Sequence, residues 1–578
     1  MNRPEAHYPH NVNSRYKRYR FRKRTVRNRL ISPLGIPQKR TTINIPGTNK
    51  KSRTQTKEQS IPLVRSNSLV QSLKLIAQSI SIISSIALLI LMSIAVWSTN
   101  TYITKNYWVI VSFVLITLGL FVGSYLLSNR IRKQSFVIFV SVLLIIALLK
   151  IVFISMYALH PTSDFFNYHY FAFVKASGLD WSKKLIGTNL YFPHVLNIAM
   201  LFSIPYSIVG TNFVTSQILN IVLTLFDAIL IYKLGTKIFN QQAGIFAGLI
   251  FSLIPAYFLY STLNGAEPMF ITAFLGMMCA FITFIQHDNG TTTGEWVASF
   301  RNLAILSIIT YMIRPTIGIW IVAGLIYLFF IRYPYKLDRK FKFKRLAYFV
   351  GFAAVFMLFS IFSTSLFSQM YKLPFLNNSV NDRYSLATGT SVSTHGQYNG
   401  KYYNKLSNDL KESTSTAELN KKATTDMNKQ VKANVTQLNK SNGWLPFLSD
   451  KYAAFSNENY GYNWILFNTW NKNPYKKAYM SSRNALVAFS SIFLEFMIII
   501  SIVIMSLILF FRRKIENRMQ TINHIFYLSL LLDGFILGSM LFEVQGRYHV
   551  ILYIPLVLIL GAGAKILGER RKKLTVLL

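Results

Sequence analysis

The sequence predicts an all-α polytopic membrane protein of about twelve transmembrane helices. It places interfacial helices in the first outer loop and adds a large, mainly helical second outer loop. Three observations carry this expectation. Of the 578 residues, 52% are hydrophobic and only 14% are charged, against about 25% charged in a soluble protein. Apolar runs of about twenty residues recur, the length that crosses a ~30 Å hydrocarbon core. Lys and Arg, which give a formal net charge of +41, collect between those runs, as cytoplasmic connections do under the positive-inside rule. A soluble chain this basic would suggest nucleic acid, but beside apolar runs the charge sets topology, and no nucleic-acid partner is expected. Cys279, the single cysteine, rules out an internal disulfide.

Taken in order, residues 1–70 hold 17 Lys and Arg against Glu5 and Glu58, densest between Arg15 and Arg29. They read as a disordered cytoplasmic tail suited to anionic lipid headgroups. No cleavable signal peptide is expected, since the first apolar run starts near Leu73. Residues 71–134 add two spans, near 75–97 and 107–128, ahead of a membrane module over 135–370. Arg130, Arg132 and Lys133 place their connection inside, so the third span, 135–158, exits outside near Leu159. A polar, aromatic loop runs from His160 to about Phe192.

The apolar stretch Val195 to Val209 decides the parity. Counted as a span, it would put Lys233, Lys237 and the basic cluster Arg332 to Arg345 outside. It is short and contains Pro205, so it reads as a helix on the outer surface. Further spans follow near 213–233, 242–262 and 267–286, then a short pair, 301–312 and 315–332, on either side of Arg314. One more, near 347–369, precedes the loop of 371–484. Its middle, about 402–440, reads as one or two amphipathic helices. Residues 485–578 supply three last spans, near 485–511, 522–542 and 548–567, and a basic cytoplasmic end. Both termini fall inside, and every large basic cluster with them.

Four ionisable residues fall at the outer membrane face: Asp164, Glu267, Arg314 and Arg547. Ionisable groups at such a depth are costly and mark function. A carboxylate can act as base toward a hydroxyl or amine, and guanidinium groups can hold a phosphate and stabilise the charge it gains on leaving. Each also has a purely structural alternative. Asp164 can cap the helix that follows, Glu267 can favour a helix dipole, and Arg547 can snorkel to the interface. Arg314, with apolar sequence on both sides, is the hardest to explain structurally. His160, His169, His194 and His549 share no ligand spacing on one element, so a divalent metal is not supported and no cofactor is expected. There is no phosphate-binding glycine loop or Walker lysine.

Four stretches carry a resemblance over roughly residues 135 to 567. They are Ser163 to Tyr168 with Ala172; Phe192-Pro-His194 leading to Val209-Gly-Thr-Asn212, Gln242-Ala-Gly244 and Leu253-Ile-Pro255; Glu267 with Phe270; and Arg314-Pro315 with Gln545-Gly-Arg-Tyr548. Here the chain resembles the GT-C membrane glycosyltransferases, in particular bacterial relatives of the dolichyl-phosphate-mannose–protein mannosyltransferases. The resemblance implies a polyprenyl-phosphate sugar donor and makes Asp164 the catalytic base. It differs from many members in having Phe165, not a second acid, after Asp164, and only Lys183 and Lys184 stand loosely where the family has basic phosphate ligands.

The expectation is therefore a hexosyltransferase of the bacterial cell membrane, working outside the cytoplasm with inversion. Its acceptor would be a cell-surface glycan, teichoic acid, lipid or protein. Asp164 would deprotonate that acceptor and Glu267 orient it. Arg314 and Arg547 would neutralise the departing phosphate, and Tyr168, His169, His194 and Tyr548 would complete the substrate site. The rivals are a transporter or flippase of lipid-linked saccharide, and a surface-polysaccharide polymerase or ligase using Arg383 and His395.

Overall fold

The computed structural model describes residues 68–100, 106–130, 132–288, 290–332, 339–510 and 518–577. The basic tail, with its expected lipid-headgroup partner, and the cluster Arg512, Arg513 and Lys514 lie outside the described residues. Among the described residues there are helices and no strand.

The chain opens with α1 (Ser68–Asn100), α2 (Tyr107–Ser128) and α3 (Arg132–Tyr157), all long and apolar. Next come α4 (Ser163–Ala176), the single turn α5 (Lys183–Ile186) and α6 (Pro193–Val209). The long α7 (Phe213–Ile238) precedes a broken pair, α8 (Gln241–Ser252) and α9 (Pro255–Tyr260). Pro255 sits in the first turn of α9, where its missing N–H costs nothing, so the apolar run read as one span bends there. Then follow α10 (Glu267–Ile285), α11 (Thr293–Ile313), α12 (Ile317–Phe330) and α13 (Arg339–Tyr371).

Among the described residues ten helices are long and apolar enough to cross a membrane, the last running from Gly546 to Glu569. The α8–α9 pair and α12 stand where the sequence predicts the other two spans. Each joins the end that carries Glu267 and Arg314 to the far end. The start of α12 lines the site cavity, and the Phe330 carbonyl at its end accepts from Gln78 near the start of α1 (2.9 Å). At 14 residues α12 spans only about 21 Å. α11 starts eight residues before the expected 301, at a capping box between Thr292 and Glu295.

Residues 371–482 form six helices: α14 (Asn378–Gly389), α15 (Gly400–Glu412), α16 (Thr416–Lys440), α17 (Trp444–Phe455), α18 (Asn459–Phe467) and α19 (Lys476–Ser481). Two of them, α15 and α16, occupy the stretch around 402–440 where one or two were expected. Leu406, Leu419, Ala423, Met427 and Leu438 are buried within this segment. It docks on the bundle through polar contacts. The Tyr452 hydroxyl donates to the Leu88 carbonyl of α1 at 2.8 Å, and the Glu543 and Val544 amides donate to the Ser385 and Gly396 carbonyls at 3.1 and 2.9 Å. The chain ends with α20 (Arg483–Phe510), α21 (Arg518–Leu541), a 3₁₀ segment at Gly546–Leu552, and α22 (Tyr553–Leu577).

α6 packs against α4, and its Asn197 joins two helix ends. The Asn197 amide donates to the Met312 carbonyl of α11 (2.9 Å) and its oxygen accepts from the Tyr371 hydroxyl at the end of α13 (2.8 Å). These two bonds hold the first turns of α6 beside the end of α11 that carries Arg314.

Candidate active site

Ser163 and Asp164 open α4, and the segment before them is tied to residues 371–482. The His160 and Thr162 amides donate to the carbonyl and side-chain oxygens of Asn468 at 2.8 and 2.9 Å. Tyr168 lies one helical turn beyond Asp164 and shares its face. Both line a cavity of about 1260 Å³.

Glu267 starts α10 after a turn that the neighbouring helix holds in place. The Asn220 amide of α7 donates to the Leu263 and Gly265 carbonyls at 2.7 and 2.9 Å, and Gln217 donates to Thr262 O at 2.8 Å. Asn264 reaches across to the Phe165 carbonyl of α4 (2.9 Å), coupling the two acid-bearing helices. Gly265 leaves room for this closeness. A Cβ there would stand 2.8 Å from both Glu267 Oε2 and the Tyr260 hydroxyl. Below the turn, Lys150 of α3 donates to Ser261 Oγ at 2.7 Å. Asp227, fully buried in α7, accepts from Thr272 Oγ1 at 2.5 Å.

Arg314 ends α11 because Pro315 disfavours the α conformation in the residue before it, and its backbone is extended (φ −146°, ψ 124°). Arg547 leads the 3₁₀ segment before α22. His549, fully buried two residues on, anchors that segment. Its Nδ1 lies 2.6 Å from the Phe455 carbonyl and its Nε2 lies 2.8 Å from Glu458 Oε1.

These elements bring four charges into an alternating chain. Arg547 donates to Asp164 Oδ2 at 2.7 Å, and its Nε stands 3.9 Å from Glu267 Oε1. Arg314 forms an ion pair with the same Glu267 oxygen, while the Tyr260 hydroxyl donates to Glu267 Oε2 at 2.5 Å. Both guanidinium groups lie over the Tyr548 ring, at 5.1 and 5.7 Å, and Arg547 also covers Trp464 at 5.1 Å. The Asp164 side chain keeps 42% of its surface open, whereas Glu267 keeps 4%. Of the two acids, Asp164 is the one a substrate can reach.

His194 lines the same cavity, at the start of α6. Burial, and then the Arg314 charge, push its imidazole down to about 4, so it is neutral at pH 7.

Three expected residues are not brought to the cavity. His169 faces α6 and α7, with Nδ1 2.6 Å from the Tyr206 hydroxyl and its ring beside Phe213. Lys183 and Lys184 stand exposed on the one-turn α5, and neither lines the cavity wall. Nor does either residue of the polymerase reading. Arg383 is exposed on α14, and His395 pairs with Asp450 at 3.0 Å. Tyr260, Trp464 and Glu543 contribute to the site but were not anticipated. Among the described residues no group of three or more His, Cys, Asp or Glu is placed to hold a metal ion.

The fold and site define an all-α polytopic membrane protein with a polar, charge-paired cavity at one end of its bundle. Residues 194–364 match the family model of dolichyl-phosphate-mannose-protein mannosyltransferase, so the resemblance read in the sequence stands over that segment. It supports a membrane glycosyltransferase of the GT-C type. The match takes in His194, Glu267 and Arg314, whereas Asp164, Arg547 and Tyr548 lie beyond its ends. No curated protein and no solved structure matches the chain.

Proposed function

We propose that the protein transfers one hexose from a polyprenyl-phosphate carrier to an acceptor on the non-cytoplasmic side, with inversion at the anomeric carbon. The observation that carries this reading is the Asp164–Arg547–Glu267–Arg314 chain, set in a cavity lined by both apolar and polar residues. Phe270, Ile319 and Phe535 give the lining an apolar part that suits a prenyl chain. The segment 371–482 contributes a polar part through Asn381, Asp382, Gln397 and Tyr398.

Asp164 takes the proton of the acceptor hydroxyl as its oxygen bonds to the anomeric carbon. The bond from that carbon to the phosphate oxygen breaks, and its electron pair leaves with the polyprenyl phosphate. The pairing makes the two events support each other. Before reaction Asp164 neutralises Arg547 across 2.7 Å. Once Asp164 is protonated, that positive charge is free to stabilise the leaving phosphate, with no ion having to move. Arg314, placed by Glu267 and the Tyr548 ring, holds the phosphate before and after transfer. The basic connections at the far end of the bundle favour a cavity outside and both termini inside, in a bacterial cell membrane.

The test uses purified protein in lipid nanodiscs with synthetic polyprenyl-phosphate mannose, glucose and galactose. Release of polyprenyl phosphate from one of these donors, abolished in Arg314→Ala, is expected. If all three stay intact with every acceptor offered, the transferase reading is wrong.

A further inference from the structure

Resting on the transferase reading, we infer that the cavity's polar wall binds an uncharged, polyhydroxylated acceptor, a neutral saccharide, and excludes phosphate-bearing polymers. The wall is built where residues 371–482 dock on the bundle. Two backbone hydrogen bonds, from the Glu543 and Val544 amides, fix α14 and the turn around Gly396 beside it. Asn381 and Asp382 of α14 line it, with Gln397, Tyr398 and Glu543. The side chains of Asn381, Asp382, Gln397 and Tyr398 have no hydrogen-bond partner among the described residues. They face a large cavity with their donors and acceptors unspent.

The choice of ligand follows from composition and sign. Two amides, two carboxyls and a phenol mix donors and acceptors, which suits hydroxyl groups that both give and take hydrogen bonds. A cation would call for acceptors alone. An anion would call for positive charge, and the cavity has little to spare. Four carboxyl side chains line it (Asp164, Glu267, Asp382, Glu543) against two arginines. Each arginine is already paired with a carboxylate at the reaction centre. A phosphate carried by the acceptor would meet Asp382 and Glu543 with no unpaired Lys or Arg in the lining to offset it, since Arg383 beside Asp382 does not line the cavity. Burial pushes Glu543 above the usual carboxylate range, which suits hydrogen bonding to a hydroxyl.

The experiment measures binding without donor. Fluorescently labelled gluco-, manno- and N-acetylglucosamine trisaccharides, each with and without a 6-phosphate, are titrated against the full-length protein in nanodiscs. At least one neutral trisaccharide should bind, and its phosphorylated form at least tenfold more weakly. Asp382→Lys, at an exposed position, should shift the preference toward the phosphorylated chain about tenfold. Gln397→Ala, also exposed, should weaken neutral binding several-fold. Equal or tighter binding of the phosphorylated chains, no neutral binding, or an unchanged preference in Asp382→Lys would each overturn the inference. Because no donor is present, neutral binding without any sugar transfer would leave the acceptor assignment standing and remove the transferase reading. Transfer onto phosphorylated acceptors alone would do the reverse.

Discussion

Asp164 and Arg547 lie 383 positions apart in the chain and meet at 2.7 Å, joining the first turn of α4 to the 3₁₀ segment that precedes α22. That contact ties the first outer loop to the start of the last span, and it lets one carboxylate be reachable and charge-compensated at once.

Asp164→Asn should therefore keep the hydrogen-bonding shape and lose the base. General-base removal costs roughly 10²–10⁴-fold in rate, about 3–5 kcal/mol of barrier. The melting temperature should move little, since the acid is half open to the cavity. Sugar transfer and thermal unfolding of the same preparation check this. Near wild-type transfer by a folded Asp164→Asn protein would take the base role away from this residue.

Arg314 and Glu267 should behave as a unit. Arg314→Ala leaves a nearly buried carboxylate with Arg547 at 3.9 Å and Tyr260 as its remaining partners. The expected loss is about 3 kcal/mol of stability. Adding Glu267→Gln to Arg314→Ala removes the stranded charge and should recover most of that loss. Donor binding should stay weak in both variants, because the phosphate ligand is gone in each. A double variant that recovers donor affinity along with stability would show that Arg314 serves the fold alone.

Asn220 tests how the site is held. Its one amide supports two buried carbonyls of the turn that delivers Glu267. Asn220→Ala leaves both without that donor, at a cost of about 1–3 kcal/mol. The rate constant of transfer should fall more than donor affinity, since Arg314 keeps its backbone position at the end of α11 and its contact with the Tyr548 ring. Measured kcat and donor Kd separate the two, and a change in Kd alone would contradict this role.

How far the sequence disclosed the site depended on what each side chain costs where it sits. Asp164, Glu267, Arg314 and Arg547 stood out as ionisable groups against apolar runs, and the fold brings all four together. Trp464 and Tyr260 gave no such signal. One lies in a polar loop and the other at the end of an apolar run, where an aromatic residue is ordinary. Lys183 and Lys184 were singled out by analogy with basic ligands elsewhere, but the short α5 turns them to the surface. The start of α11 was readable from Thr292 and Glu295, a capping pair three residues apart, though hydropathy alone began the span at 301. Lys150 and Asp227, single charges inside apolar runs, were equally visible. They prove to support the turn and helices beneath Glu267.

Lys451 offers a test of how the segment 371–482 is fastened to the bundle. Its Nζ is fully buried and donates to the Gly389 carbonyl of α14 at 2.6 Å and the Met540 carbonyl of α21 at 2.8 Å. Burial lowers its pKa from 10.5 to about 7, with Glu543 opposing part of the shift. Between pH 7 and pH 10.5 the unfolded chain therefore holds a proton here that the folded chain has lost. Unfolding takes up that proton, so this residue makes stability rise with pH across the window and contributes no slope below about pH 7. The neutral amine still has two N–H groups for its two carbonyls, so the staple survives deprotonation. Lys451→Met should lower the melting temperature at every pH, by leaving the buried Gly389 carbonyl and the half-buried Met540 carbonyl without this donor, and should flatten the rise above pH 7. Unfolding curves for both proteins from pH 6.5 to 9.5 check this. Two curves that run parallel over that range would show that Lys451 carries the same charge in the folded and unfolded chains.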